Sequence, residues 1–453
     1  MRVLIEKLRN IYKIEELRQR ILYTLLLLAV FRLGTFVILP GVDSGTLQDS
    51  FINNSGGAGG LLDFVNTFLG GAFARGSILA LGIMPYISAS IVVQLLGAVL
   101  PAIQKLRTEG ESGQRKMNQI TRYLTVVITL GQAASYIVYL RGQFGDAVYG
   151  TGPIFWLMTM VILTAGTLFL VWLGERITDN GIGNGVSLLI MIGIISGFPA
   201  AIVQEASTTR PLNFFIEILA LGVVTMAVVA LTQATRKIPI NYARQMMGNR
   251  IGQLGGGNAA RQYIPLKVNS AGVMPIIFAQ AIMFLPVTLV QFAAGRGNGS
   301  VSGFVAAMSD ITGFWYNLVF FFMIIIFTYF YTAISVNPNE IADQLKRNGG
   351  FIPGIKPGKK TANYIDNILS RVTLPGAIFL GLVSIFPAFA MIMGSSQGFA
   401  QFFGGTTLLI MIGVTLDTLQ QIESYLLMRH YDGLMQSGRV KGRKRSGLAA
   451  SRS

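Results

Sequence analysis

Three observations predict an all-α polytopic membrane protein with ten transmembrane helices in two inverted-repeat halves of five. Apolar runs near the ~20 residues that cross a bilayer recur along the chain. Lys and Arg fall almost wholly on one side of those runs, and two short motifs occur twice in the same order. The chain has 453 residues, 52% hydrophobic and 12% charged, against about 25% charged in a soluble protein. The runs are 21–40, 77–98, 119–140, 154–174, 184–203, 211–231, 269–293, 312–335, 372–394 and 405–428. Strands of a membrane barrel alternate over ~10 residues, whereas these runs are apolar throughout, which excludes a barrel.

Orientation follows from charge. Segments 1–20, 99–118, 175–183, 232–268, 336–371 and 429–453, together with Arg122, hold 31 of the 36 basic residues. Only Arg75, Arg141, Arg210 and Arg296 lie on the other side, and Arg32 lies within the first run. Positive segments stay cytoplasmic, so both termini are expected inside and ten spans fit. The first run is too long for the core of a signal peptide, and no small-residue cleavage site follows it, so it should remain as a span.

The repeats give the symmetry. SLLIMIG (Ser187 to Gly193) returns as TLLIMIG (Thr407 to Gly413), and GIMPYI (Gly82 to Ile87) returns as GVMPII (Gly272 to Ile277). Two matched pairs in one order divide the chain into related halves, roughly 1–205 and 206–430. Five spans per half is an odd number, so the second half crosses in the opposite sense. Halves so related share a two-fold axis in the membrane plane, and functional sites in such folds lie between them.

The matched segments therefore face each other near the bilayer centre, and they bring isoleucines: Ile83, Ile87, Ile190, Ile194, Ile277 and Ile410. Ile83/Ile87 and Ile190/Ile194 are each spaced i,i+4, one helix face per pair. Helix packing is the ordinary use of such residues. At a two-fold centre they also make a constriction that excludes water and hydrated ions.

Several function classes fall away. No cysteine is present, which excludes disulfides and thiolate chemistry. The single histidine, His430, lies in the basic tail, so no metal site or cofactor is expected. There is no G-x-x-x-x-G-K-[ST] phosphate loop and no H-E-x-x-H, so the chain reads as passive and not as an enzyme. A secondary transporter of a small solute fits the symmetry equally well, yet it needs a polar midplane site and loops of ordinary length. The net charge of +16 follows largely from orientation. Even so, 232–268 carries six basic residues and no acid, and 336–371 carries six basic and three acidic residues. Basic segments of that length suit an acidic or RNA-bearing partner.

FRLGTFVILPGVD (31–43), ALGIMPYISASIVVQLL (80–96), EGESGQRK (109–116), TDNGIGNGVSLLI (178–190), IPLKVNSAGVMPIIFA (264–279) and VNPNEIADQLKRNGGFIPGIKPG (336–358) closely resemble the SecY family of protein-conducting channels. The resemblance covers nearly the whole chain. It implies a clamshell around a central hourglass channel that passes unfolded preproteins across the cytoplasmic membrane and releases apolar helices sideways. The six isoleucines fall where the family has its pore ring, with the register at Ile410 resting on the GGTTLLI alignment.

LLDFVNTFLGGAF (61–73) matches the family's plug, with Leu61, Leu62, Phe64, Phe68 and Leu69 as its apolar residues. Thirteen residues are too few to span, and glycines at 56, 57, 59, 60, 70, 71 and 76 supply the freedom a swinging segment needs. The second and seventh spans would form the lateral gate, with Ser88, Ser90, Gln94 and Asn269 as polar contacts and Ile91 and Val92 as a groove for a signal helix. Arg236, Lys237, Arg244, Arg250, Lys346, Arg347, Lys356 and Lys359 match the docking surface for the ribosome and the SecA motor. The family implies SecE- and SecG-like small subunits as partners, preprotein signal sequences as clients, the lipid bilayer as surroundings, and accessory proteins of the YidC and SecD/SecF type. Two departures stand out. Lys356 replaces the arginine of the family's GIRPG motif, which keeps the charge and loses the bidentate fork. The stretch GQLGGGNAAR (252–261) lengthens the first basic loop.

The resulting organisation is an amphipathic cytoplasmic segment 1–20, an N-terminal half 21–205 with the plug, a C-terminal half 206–430 with both basic loops, and a basic tail 431–453. Arg32 and Asp417, within spans, are read as internally paired or snorkelling, and Glu217 as interfacial.

Overall fold

A computed structural model describes residues 14–53, 66–150, 152–242, 262–283 and 313–437. In order the helices are α1 (Glu15–Gly34), α2 (Ser44–Asn53), α3 (Met84–Val99), α4 (Pro101–Thr108), α5 (Glu111–Gln143), α6 (Pro153–Asn180), α7 (Gly185–Thr208) and α8 (Pro211–Gln233). Strands β1 (Thr235–Tyr242) and β2 (Gln262–Lys267) follow. Helix α9 (Met274–Met283) leads to α10 (Phe314–Ser335), α11 (Pro338–Arg347), β3 (Gly350–Phe351), α12 (Lys359–Ile392), α13 (Gln397–Ala400) and α14 (Gly405–Ser437).

Seven helices among the described residues are long and apolar enough to cross a membrane. Helices α1, α3 and α9 occupy the other three expected spans, so each of the ten runs contains a helix. Six helices among the described residues carry proline in their opening positions, at Pro85, Pro101, Pro153, Pro211, Pro275 and Pro338, where a missing N–H costs nothing. Six buried hydroxyls are satisfied inside their own helices. Thr125, Thr129, Thr328, Thr332, Thr373 and Ser384 each donate to the carbonyl four residues back, which is how such groups are tolerated in lipid.

Two spans start or stop away from their apolar run, for visible reasons. Helix α1 ends at Gly34 because the next residues turn to pair with 76–78: Leu39 N–H donates to Gly76 O at 2.8 Å and Ile78 N–H to Val37 O at 2.9 Å. Helix α3 begins at Met84 because 77–83 is a run of turns in which Gly82 has φ +56°. The repeat is written in the backbone too. Gly272 has φ +63° and stands two residues before α9, as Gly82 stands before α3. Both glycines occupy a conformation that L side chains rarely adopt.

The two copies of LLIMIG sit on α7 and α14, which pack together. Thr415 Oγ1 on α14 approaches Met191 Sδ on α7 at 3.5 Å, and Gly183 N–H, just ahead of α7, donates to Gln421 Oε1 at 2.8 Å. One contiguous apolar core draws on both halves.

The all-α expectation holds for the spanning body. The two basic segments add an antiparallel three-stranded sheet in the order β2-β1-β3, with Ile238 opposite Ile264 and Asn241 opposite Phe351. Ile238 and Ile240 alternate inward along β1 and bury against Leu266, Leu345, Ile352 and Ile365 in a second, separate core.

Candidate functional site

Four helices and the residue that caps one of them supply the six isoleucines. Ile83 immediately precedes α3 and Ile87 lies in its first turn, Ile190 and Ile194 come from α7, Ile277 from α9 and Ile410 from α14. All six are buried, none more than 5% exposed, within the single core that joins the halves. The Ile87 amide bonds the Ile83 carbonyl at 3.1 Å, so these two share a face of the first turn.

Against this group lies the segment after the undescribed 54–65. Leu61, Leu62 and Phe64 fall outside the described residues, as do Gly56, Gly57, Gly59 and Gly60. Phe68 and Leu69 are described and buried. They share a 20 Å³ void with Phe31, Leu79, Ile83, Leu170, Leu189 and Ile190. That lining is almost wholly apolar and offers a water no set of hydrogen-bond partners, so the void is dry. The segment is tied down by its backbone. Gly71 N–H donates to Asn66 O at 2.8 Å, Ala74 N–H to Asn66 Oδ1 at 2.9 Å, and Tyr136 Oη to Phe73 O at 2.9 Å. Gly70, Gly71 and Gly76 all have positive φ.

Toward the basic segments lies a larger cavity of mixed character. This 270 Å³ cavity is lined by Asn184, Ser187, Lys267, Asn269, Ser270, Asp417 and Gln420, with Ile276 and Leu409 among its apolar lining. Lys267 Nζ donates to Gln420 Oε1 at 3.0 Å on its wall. A cavity carrying both polar and apolar groups thus lies on the basic side of the buried isoleucines, and a small apolar void lies beside Ile83 and Ile190.

The residues expected at a gate divide. Ser88, Ser90 and Gln94 are half-buried on α3, and the Gln94 amide donates to Ser90 Oγ at 3.2 Å inside that helix, so this polar contact stays within α3. Ile91 is buried and Val92 exposed; in this conformation only Val92 presents apolar surface. Asn269, which lines the 270 Å³ cavity, is buried with its Oδ1 unpartnered among the described residues.

The basic residues expected at a docking surface lie around the small sheet. Arg236 and Lys237 are exposed on β1, with Lys237 Nζ 4.7 Å from the Tyr263 ring centroid. Lys346 and Arg347 end α11, where cations complement the helix dipole. Lys356 and Lys359 are exposed beside them. Arg244 and Arg250 lie outside the described residues.

Arg32 finds a backbone carbonyl, that of Gly70, at 2.8 Å. Asp417 lines the 270 Å³ cavity together with Lys267. Glu217 is half-buried and accepts from Ser395 Oγ at 2.8 Å. Glu205, absent from the sequence reading, is fully buried at 0% exposure. Its carboxylate accepts from Ser396 N–H at 3.1 Å, from the Ser396 hydroxyl and from Thr209 Oγ1. No local pattern announces it, because Ser396 is 191 residues away.

The fold and this geometry define a polytopic helical membrane protein with a buried apolar centre between its halves. The family model described as SecY matches residues 77–419. "Protein translocase subunit SecY" of Streptomyces galbus is 42% identical over 438 residues, covering 94% of this chain and 98% of that protein. A solved structure of a protein-conducting channel aligns over 93% of this chain and 94% of its own, with a TM-score of 0.62 and 16% identity. Sec61 in the canine ribosome-channel complex from the endoplasmic reticulum aligns over 93% and 94%, with a TM-score of 0.59 and 15% identity. The last two are likenesses of fold. The chain belongs to the SecY family.

Proposed function

We propose that the chain is the central subunit of a channel that moves unfolded preproteins across the cytoplasmic membrane and inserts membrane proteins sideways into it. Both termini are cytoplasmic, and the halves 21–205 and 206–430 open against each other between the segment 1–20 and the tail 431–453. Ile83, Ile87, Ile190, Ile194, Ile277 and Ile410 form a gasket. Isoleucine donates and accepts no hydrogen bonds, so the gasket closes around any extended chain without selecting among side chains. The segment 61–73 plugs the outer side. Val92, with Ile91 once α3 moves, offers an apolar path to a signal helix, and Ser88, Ser90, Gln94 and Asn269 supply weak polar contacts at the same gate.

Energy comes from outside the chain. The exposed cations Arg236, Lys237, Lys346, Arg347, Lys356 and Lys359 receive the SecA ATPase and the ribosome, with Arg244 and Arg250 on the same loop; the ribosome-bound canine relative of this fold supports the second partner. SecE- and SecG-like subunits clamp the halves, and YidC and SecD/SecF-type proteins assist. The observation that carries this reading is the cluster of six buried isoleucines in the core shared by the two halves, with Phe68 and Leu69 against it and a larger cavity bearing polar groups on the basic side.

A photo-crosslinking amino acid at Ile190 or Ile410 tests it, in assembled complex holding an arrested preprotein. Capture from both positions, and none from the lipid-exposed Leu219, is the expected result. An arrested chain captured from neither position would overturn the reading.

A further inference from the structure

Arg32 has no part in the function as described so far, yet it sits in the last turn of α1, in an apolar span where a guanidinium is costly. Its Nη1 donates to the Gly70 carbonyl at 2.8 Å. Its guanidinium carbon lies 5.1 Å from the Phe36 ring centroid, and that of Arg75 lies 4.5 Å from the same ring. Among the described residues Arg32 meets no carboxylate, so this carbonyl takes the place of an ion-pair partner.

Gly70 belongs to the turn that carries Phe68 and Leu69. It has φ +65°, and a β-carbon on it would come within 3.1 Å of Arg32 Nη1 and 3.2 Å of the Gly193 α-carbon. The Gly70 backbone is therefore held between α1 on one side and α7 on the other. A hydrogen bond from a charged donor to a neutral carbonyl is stronger than one between two amides. On release it leaves one charge to be resolvated, where a broken ion pair would leave two. Such a bond suits a contact that must hold at rest and let go in use.

We propose that Arg32 is the tether of the plug, a positioning residue that acts through the Gly70 carbonyl to keep Phe68 and Leu69 in their closed seat. The proposal rests on the reading of 61–73 as a plug, and the test separates the two. In assembled complex in sealed vesicles, Arg32→Met, Arg32→Lys and a deletion of 61–73 are compared for resting ion leak. A Thr67→Cys reporter, the only thiol in a cysteine-free chain, is labelled from outside with an impermeant maleimide in the two point variants.

Arg32→Met should raise both leak and labelling rate about tenfold, the scale of one hydrogen bond to a charged group. Arg32→Lys, which keeps a charged donor, should restore most of the parent behaviour, and the deletion should leak whatever stands at 32. A leaking deletion with an Arg32→Met variant indistinguishable from the parent would overturn the tether and leave the plug standing. A deletion that does not leak would overturn both. Should Arg32→Met fail to assemble, Arg32→Gln takes its place under the same criteria. Failure of the Met, Gln and Lys variants alike to assemble would mark a purely structural residue and overturn the proposal.

Discussion

The Phe68 carbonyl lies against the α-carbon of Gly193: a β-carbon there would come within 2.6 Å of that oxygen. Gly193 is the last residue of SLLIMIG, and its counterpart Gly413 receives Val273, whose Cγ2 would lie 2.9 Å from an added β-carbon. Both copies of the motif thus end in a notch that takes a neighbouring segment. Gly193→Ala should lift the 66–76 turn off α7 and raise resting ion leak several-fold, since overpacking of this kind costs about 1–3 kcal/mol. Gly197→Ala, one turn on, meets nothing nearer than 3.6 Å and should behave as the parent. Equal leak from the two variants would show that the notch does not seat the turn.

The small sheet folds on a core of its own, so its loss should separate docking from sealing. Ile240 is buried in that core on β1. Ile240→Ala should cost the sheet about 2–4 kcal/mol, read as lost amide protection in 235–242 and 262–267. Partner-driven export should fall with it while resting ion leak stays at the parent level. Leak rising in step would mean that sheet and waist are one cooperative unit.

Lys356 is exposed on the loop between β3 and α12, where its charge reaches a partner unscreened by the chain. Lys356→Glu should slow motor-driven export by up to about tenfold, because reversing a rim charge acts mainly on association. Ribosome-coupled insertion should change less. Equal effects on both would place the motor contact elsewhere.

Asp43 gives a pH dependence with a definite sign. The Thr46 hydroxyl, then the Gly45 N–H, holds its carboxyl below the ordinary carboxylate range, and Tyr149 Oη adds a bond at 3.3 Å. A lowered folded value means that the stabilisation is complete above the unfolded value of about 3.9 and is lost as pH falls through the folded one. Amide protection of α2 should therefore be flat from neutral pH to about 4 and decline below. Asp43→Asn should remove that acid-side decline, and a variant that kept it would assign the titration to another group.

Much of this was legible in the sequence. Ten apolar runs became ten helices because the bilayer fixes both length and polarity, and the Gly82/Gly272 match marked a shared backbone turn. The sheet is masked by the charge of these segments: TRKIPINY and QYIPLK alternate, but the apolar Ile238, Ile240, Ile264 and Leu266 find their core only when β1 and β2 pair with each other. The end of α1 at Gly34 and the start of α3 at Met84 depend on pairing between 37–39 and 76–78, a tertiary contact that overrides an apolar run. Arg32 was visible as costly, but its partner is a backbone carbonyl and leaves no mark in the sequence. Glu205 meets Ser396 only in the folded chain, so no local spacing could reveal it.

The central claim is that the waist excludes ions because it is apolar. Resting conductance of single assembled complexes in planar bilayers tests it most directly, comparing the parent with the Ile87→Ser, Ile277→Ser double variant. The hydroxyls should wet the waist and raise resting conductance by roughly tenfold or more with no preprotein present. A double variant as tight as the parent, at equal amounts of assembled complex, would contradict the account.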